Sequence, residues 1–268
     1  MSKAFRMTHK NCGVLFLVTV GFGFGATHAV ADDTCEATVV ANLELEHDLT
    51  CVGNGITVGA DGIKVDLNGH TIMGSGRGVG ISVIGRTGVS IVGGTVQNFF
   101  AGVQVGNSTA VVIEDNQLVG NVDGVDLQAG SIGNTVTENH FQDNRSRGIM
   151  LRVGTSANVI KENSFTGNRV GILLFGALGT TVKENTVSSS VLAGIRVNVI
   201  ATANLVVENT VVSNPAGIDF IVTPTGSATG NTLRENTIAL NTCGLHGPVA
   251  GNTLTENLFE GNAADSCS

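Results

Sequence analysis

Arg196, Asp219 and His246 are a guanidinium, a carboxylate and an imidazole standing 23 and 27 residues apart. Together they are the parts of an acid–base centre. An imidazole titrates near neutrality and can move a proton. A carboxylate can orient it, and a guanidinium can grip a substrate carboxylate through two parallel N–H bonds. A second polar set, Asp126, Gln128 and Arg152, precedes them, with Phe175 and Asn198 between the two. A carboxylate, an arginine and an exposed aromatic ring suit the binding of an acidic sugar. The competing reading is a solvated surface with ion pairs worth ~0–1 kcal/mol each. The residues form a site only if the chain returns to the same place once every ~23 residues, as a repeat architecture would.

It does return. The asparagines Asn116, Asn139, Asn163, Asn185, Asn209, Asn236 and Asn257 recur at intervals of 23, 24, 22, 24, 27 and 21 residues. "SIVGGTV" (90–96) and "DLNGHTI" (66–72) extend the frame backwards, with Gly94 and His70 at the asparagine position. A glycine recurs in step: Gly80, Gly102, Gly124, Gly148, Gly171, Gly194, Gly217 and Gly244. An aliphatic residue stands three positions before each asparagine, from Leu67 and Ile91 through Val206 to Leu254. Another apolar residue stands two positions after it, from Ile72 through Phe141 and Phe165 to Phe259. Runs this short with two-residue alternation are strands, and the glycine and β-branched content argues against helix. A leucine-rich repeat has a similar period, but its leucine consensus is missing.

One period is therefore one coil of three short strands, and successive coils stack as parallel strands ~4.8 Å apart. About nine coils of ~23 residues make an all-β solenoid ~43 Å long. Many coils read Asn-x4-Asn-x4-Asn, as in Asn134, Asn139 and Asn144, then Asn158, Asn163 and Asn168. Five residues cover one strand and its bend, so these asparagines hold corners. Asparagine tolerates left-handed backbone, and its amide can bond to the amides above and below. After each recurring glycine, alternate residues face outward. One outward column is Ser82, Gln104, Asp126, Met150, Leu173, Arg196, Asp219 and His246; the next is Ile84, Gly106, Gln128, Arg152, Phe175, Asn198 and Ile221. Arg196, Asp219 and His246 thus fall on consecutive coils as a catalytic candidate. Asp126, Gln128, Arg152, Phe175 and Asn198 become substrate-binding candidates.

The first 31 residues read as a secretory signal: basic Lys3, Arg6 and Lys10, an apolar run from Gly13 to Gly25, and a small-x-small site at Ala29–Ala31. That run is too short and glycine-broken to span a membrane, and no later run is long enough. The expected mature chain is secreted or periplasmic, with residues 32–59 as a cap and first strand and 60–268 as the solenoid. Loss of the leader moves the formal net charge from −8 to −11, which argues against a nucleic-acid partner. There is no Trp or Tyr, and 37 of the 268 residues are glycine. The chain is read as a monomer.

Four cysteines remain beyond the leader, Cys35, Cys51, Cys243 and Cys267, and an even number in an exported chain points to disulfides. Four cysteines admit three pairings, and no histidine stands at zinc-finger spacing from them. In a stack the two pairs lie at opposite ends, far beyond the ~7 Å reach of a disulfide. The expected bonds are Cys35–Cys51 and Cys243–Cys267. No metal ligand set is assigned. The acids that precede the corner asparagines, Asp115, Glu138, Glu162, Glu184, Glu208, Glu235 and Glu256, form an outward acidic edge, and calcium between rungs is the one cofactor considered.

With "VDLNGHTI", preceded by "GADGIK" and followed by a run of alternating glycines, residues 50–262 resemble the right-handed parallel β-helix repeat family. That family belongs to the pectin-lyase-like superfamily and includes NosD-like periplasmic proteins linked to copper-enzyme maturation. The resemblance implies a single-stranded right-handed parallel β-helix. It also implies, for members that are enzymes, cleavage or epimerisation of acidic polysaccharides lying along one sheet. The acid motifs of the polygalacturonase-like and epimerase-like branches are missing, and "LHGP" at 245–248 is a faint echo. His47, His70, His140, His246, Met73 and Met150 lack the spacing of copper ligands. The leading expectation is an exported protein that binds or processes an acidic polysaccharide along the glycine-headed sheet. The alternatives are a non-catalytic extracytoplasmic scaffold and a NosD-like accessory factor.

Overall fold

Short apolar alternations broken by glycine and asparagine every few residues leave room only for strands of two to six residues, and the described residues form 31 of them. A computed structural model describes residues 35–198, 200–221 and 228–268. The leader (1–31) and the start of the expected cap (32–34) lie outside the described residues. Three parallel sheets run the length of the molecule. The first has 11 strands, from Thr38–Val39 to Ala264–Cys267; the second and third have 10 each, ending at Thr253–Thr255 and Leu258–Glu260. Each strand pairs with the strand of the same sheet one coil away, giving ten coils and a closing strand. The sequence marks nine, because the first coil, Thr38–Thr50, lacks the asparagine signature. Strands of all three sheets thus already begin within residues 38–50, and they pair with Ile56–Val58, Lys64–Asp66 and Thr71–Met73 of the next coil.

Inward columns make one continuous core. Ile91, Ile113, Val136, Ile160, Val182, Val206 and Leu233 stack on the second sheet and are fully buried or nearly so. On the third sheet Phe141 and Phe165 stack ring on ring, with centroids 4.6 Å apart. The recurring glycine is a packing requirement. A Cβ on Gly148 would come 2.6 Å from the Gly171 carbonyl oxygen and 2.6 Å from Phe165, a distance no side chain tolerates. The early register departs from the sequence frame: Ile91 pairs with Val65, not Leu67. Leu67 instead fills the next corner, pressed against Gly94, where a Cβ would meet its own Cβ at 2.3 Å. His70 does not take up an asparagine role there; its ring contacts Asp48.

The corners correct a second expectation. The left-handed residue is the one before each asparagine: Asp115, Glu138, Glu162, Glu184, Glu208, Glu235 and Glu256 have φ between 55° and 57°. The asparagine follows it into the interior. Asn163 donates its backbone N–H and its Nδ2 to Oδ1 of Asn185 (both 3.0 Å) and Nδ2 also to the carbonyls of Val136 and Lys161 (2.9 and 2.8 Å). Its own Oδ1 accepts the same pair of bonds from Asn139. Three such ladders climb the rod, one per corner. Two of them are interrupted in one coil, by Thr180 and Ser190, whose buried hydroxyls have no hydrogen-bond partner.

The cysteines pair locally as expected, Cys35–Cys51 and Cys243–Cys267, with Cα separations of 5.4 and 6.1 Å.

Because an unpaired buried amide costs about 1–3 kcal/mol, Asn163→Ala is expected to lower the guanidinium midpoint by a corresponding amount. Lys183→Ala, on an exposed side chain, should shift stability by no more than ~0.5 kcal/mol. Equal midpoints would mean that the ladder carries no stability. Thr180→Asn is nearly isosteric and rejoins Asn158 to Asn204, so it should raise stability by about 1 kcal/mol. An unchanged midpoint would show that the gap is already satisfied by solvent.

Candidate functional site

The outer face of the first sheet carries the residues with chemistry. Its strands Asp123–Leu127, Arg147–Leu151, Val170–Phe175, Ala193–Asn198, Ala216–Phe220 and Cys243–His246 follow one another in register. Inward Ile172, Ile195 and Ile218 fix which alternate residues face out. The pairs Asp126–Met150, Met150–Leu173, Leu173–Arg196, Arg196–Asp219 and Asp219–His246 are all direct cross-strand partners. The 27-residue interval between Asp219 and His246 does not shift the row.

Asp219 is the hub, only 2% exposed. Arg196 donates from Nε and Nη2 to its Oδ2, both at 2.7 Å, and His246 Nδ1 meets its Oδ1 at 2.7 Å. Asp219 accepts, so the ring nitrogen facing it carries the proton. In the neutral imidazole the other nitrogen, Nε2, is then an acceptor. The His246 side chain is 44% exposed, so the ring stands at the open edge of the site. A carboxylate that orients an imidazole beside a guanidinium can support proton transfer to or from an anionic substrate.

Two coils away lies the second polar group. Asp126, 1% exposed, accepts Arg152 Nε at 2.7 Å and Nη2 at 3.2 Å, and Gln128 Nε2 at 3.1 Å. Phe175 is the cross-strand partner of Asn198 and packs on an outward apolar cluster of Met150, Val170, Leu173 and Leu192. This cluster separates the two groups, so six of the eight predicted residues form two polar clusters, Phe175 belongs to the apolar rung between them, and Asn198 stands beside that rung.

Sequence reasoning missed a third pair. Arg147 Nε and Nη2 reach Asp123 at 2.7 and 3.2 Å, and Asp123 is fully buried. Both precede a recurring glycine, a column that otherwise holds Ala101, Val170, Ala193 and Ala216. A charge of each sign at successive places in an apolar column is the signal that would have found them.

The acidic corner column is exposed and tied to cations. Lys161 meets Glu162 at 2.9 Å, Lys183 meets Glu184 and Glu208 at 3.1 and 3.4 Å, and Arg234 meets Glu235 at 3.2 Å. Among the described residues no three His, Cys, Asp or Glu side chains are grouped so as to hold a metal ion. Nor is any helix among them long and apolar enough to cross a membrane.

The sequence matches the right handed beta helix region family over residues 23–156, 77–238 and 150–267, overlapping matches that run nearly the length of the chain. The chain belongs to this family. No curated protein matches it. Several solved structures share the fold. The alginate lyase from Paenibacillus sp. str. FPU-7 is 16% identical, with 80% of this chain and 91% of that one covered and a TM-score of 0.61. The periplasmic alginate epimerase AlgG is 14% identical over 83% of this chain and 61% of its own, with a TM-score of 0.68. PfbA, a surface adhesin of Streptococcus pneumoniae, is 10% identical, with 85% and 80% covered and a TM-score of 0.59. At these identities the likeness is one of architecture. The architecture itself is a right-handed parallel β-helix.

Electrostatics divides the two Asp–Arg pairs on neighbouring coils. Hydrogen bonding to Asp126 holds the Arg152 guanidinium above its usual range. Burial pushes the Asp123 carboxyl above the ordinary aspartate value of 3.8, and the charge and hydrogen bonds of Arg147 oppose that push without cancelling it. Arg147→Ala removes the opposition and strands a buried charge, at a cost of about 3 kcal/mol at neutral pH. The folded-state pKa of Asp123 then lies further above its unfolded value. The penalty is complete above that folded pKa and fades as pH falls through it. Urea midpoints of variant and wild type should therefore converge below neutrality. A gap that stays constant down to pH 4 would show that Asp123 is not the stranded group.

Proposed function

We propose that the protein binds and processes an acidic polysaccharide along the outer face of its first sheet, with Arg196, Asp219 and His246 as the reactive row. The observation that carries this reading is the contact geometry of the row. A buried carboxylate fixes a guanidinium and an imidazole side by side, and both open onto the same face. In the proposed role Arg196 pairs with the carboxylate of a uronate and so acidifies the C–H next to it. His246 Nε2 takes that proton, and Asp219 stabilises the imidazolium that results. Loss of the leaving group at the next carbon would give lyase chemistry, and return of a proton to the opposite face would give epimerisation. Arg152, held by Asp126 and Gln128, serves as a second anion contact across the Phe175 rung.

An alginate lyase and an alginate epimerase of the same architecture lend the reading general support. The basic, apolar, small-x-small leader and the two disulfides support an extracytoplasmic place of action. The scaffold alternative keeps one specific support, since PfbA is an adhesin built on this architecture. On that alternative the ion pairs simply stiffen the sheet.

The test is incubation with polymannuronate, polyguluronate and polygalacturonate in deuterated water. It follows unsaturated-uronate absorbance and deuterium at the carbon that bears the carboxyl group. Arg196→Ala and His246→Ala are each expected to lose at least tenfold in kcat/KM, equivalent to ~1.4 kcal/mol of transition-state stabilisation, while folding is retained. Arg152→Ala should act mainly on KM. Binding without either product signal would reduce the protein to a glycan-binding module. No binding to any polyuronate would leave the scaffold reading.

A further inference from the structure

We propose that Cys243 and Cys267 are positioning residues for the reactive row, and that their disulfide holds His246 against Asp219. Most of the outer face is supported by coils on both sides. His246 is the exception, because its strand, Cys243–His246, is the last but one of the first sheet. On one side it pairs with Ala216–Phe220, with Asp219 opposite His246. On the other, among the described residues, it has only the strand Ala264–Cys267, with Cys267 opposite His246.

That closing strand has little to hold it by burial. Ala264, Asp265 and Ser266 are exposed, and among the described residues the strand pairs along one edge alone. Such a strand frays unless something else ties it down. Two devices do so, and they flank His246 along its own strand. The disulfide joins Cys267 to Cys243, three residues before His246 on its own strand. Next, Gly247 donates its N–H to the Cys267 carbonyl at 2.9 Å. Gly247 also has φ +82° and lies so close to Phe220 that a Cβ would sit 2.0 Å from the Phe220 carbonyl oxygen. The residue after His246 is thus wedged between the neighbour of Asp219 and the disulfide-bonded Cys267.

Cys267 also continues the outward column Arg196, Asp219, His246, so the disulfide-bonded residue is the end stop of the row. With the bond open, the closing strand is free to leave, and the strand of His246 becomes the edge of the sheet. The imidazole then keeps Asp219 only through its own 2.7 Å contact. The second disulfide, Cys35–Cys51, closes the opposite end and has no neighbour in the row. It is a built-in control that separates positioning from general stability.

The catalytic significance of this clamp rests on the functional reading above; the positioning itself does not. The experiment compares Cys243→Ser/Cys267→Ser with Cys35→Ser/Cys51→Ser in the full chain. Diethyl pyrocarbonate modification of each histidine is followed by peptide mass spectrometry, with exposed His140 as internal reference. The expected result is at least a fivefold faster modification of His246 in the first variant, with His140 unchanged and the second variant like wild type. Asp219→Asn, with both disulfides intact, should accelerate His246 similarly, since it removes the partner that the clamp preserves. Should the double variant not fold, Cys267→Ser alone opens the same bond and reads the same way. An unchanged His246 rate, or equal acceleration in both double variants, would overturn the proposal. A wild-type protein inactive on every polyuronate sinks the functional reading and leaves these rates to decide the positioning. Where turnover is present, opening the clamp should lower kcat at constant KM, and a change in KM alone would overturn the positioning role.

Discussion

Every coil must turn three times, and each turn carries a polar backbone group into the rod, where it needs a partner. The solution is a residue in left-handed conformation followed by a buried asparagine whose amide serves the coil beside it. The backbone N–H and side-chain Nδ2 of Asn139 both donate to Oδ1 of Asn163, and those of Asn163 to Oδ1 of Asn185. A corner that slipped by one residue would break two such bonds below it and two above, and would turn an inward column outward. The ladder therefore sets more than corner stability. It fixes the register of all three sheets, and register alone decides which side chains share the outer face.

This explains why so much was legible in the sequence and where legibility stopped. Columns that repeat with the coil can be read by counting, so the row Arg196–Asp219–His246 and the partners Asp126–Met150–Leu173 follow from the sequence alone. Counting could not tell which residue of each Glu-Asn pair bends left, because both recur with the same period. Burial decides it: the amide can be satisfied inside by its neighbours and the carboxylate cannot, so glutamate takes the strained backbone outside. Counting also failed at Leu67, where two extra residues are absorbed in the corner opposite Gly94 without disturbing the pairing of Ile72 with Val96. The pair Asp123–Arg147 escaped because its column is apolar elsewhere.

Outward is not the same as exposed. Asp123, Asp126 and Asp219 all project from the outer face, and each is at most 2% exposed. A lone carboxylate so placed would be costly, and each has a guanidinium from an adjacent coil bonded through Nε and Nη2. The consequence for chemistry lies with the arginines. An exposed arginine on a mobile stem loses side-chain entropy when it binds, whereas one already pinned by a buried carboxylate has lost that freedom on folding. The face thus offers guanidinium groups held in fixed directions, which suits a ligand with repeated charge better than one with a single anion.

On the proposed reading, the apolar rung would decide how such a ligand lies. Val170, Leu173 and Phe175 belong to the strand between those of Arg147 and Arg196, so the cationic groups on either side are two rungs apart, about 10 Å at the spacing of parallel strands. A chain running along one strand would meet either charges or hydrocarbon. A chain crossing the strands along the rod axis would meet a cation, an apolar step and a cation in turn, and would then reach His246. The sheet has no Trp or Tyr to stack on, so the order of these rungs is the main means by which it could recognise a repeating polymer. That order runs along the rod axis, the direction in which the corner ladders bond one coil to the next.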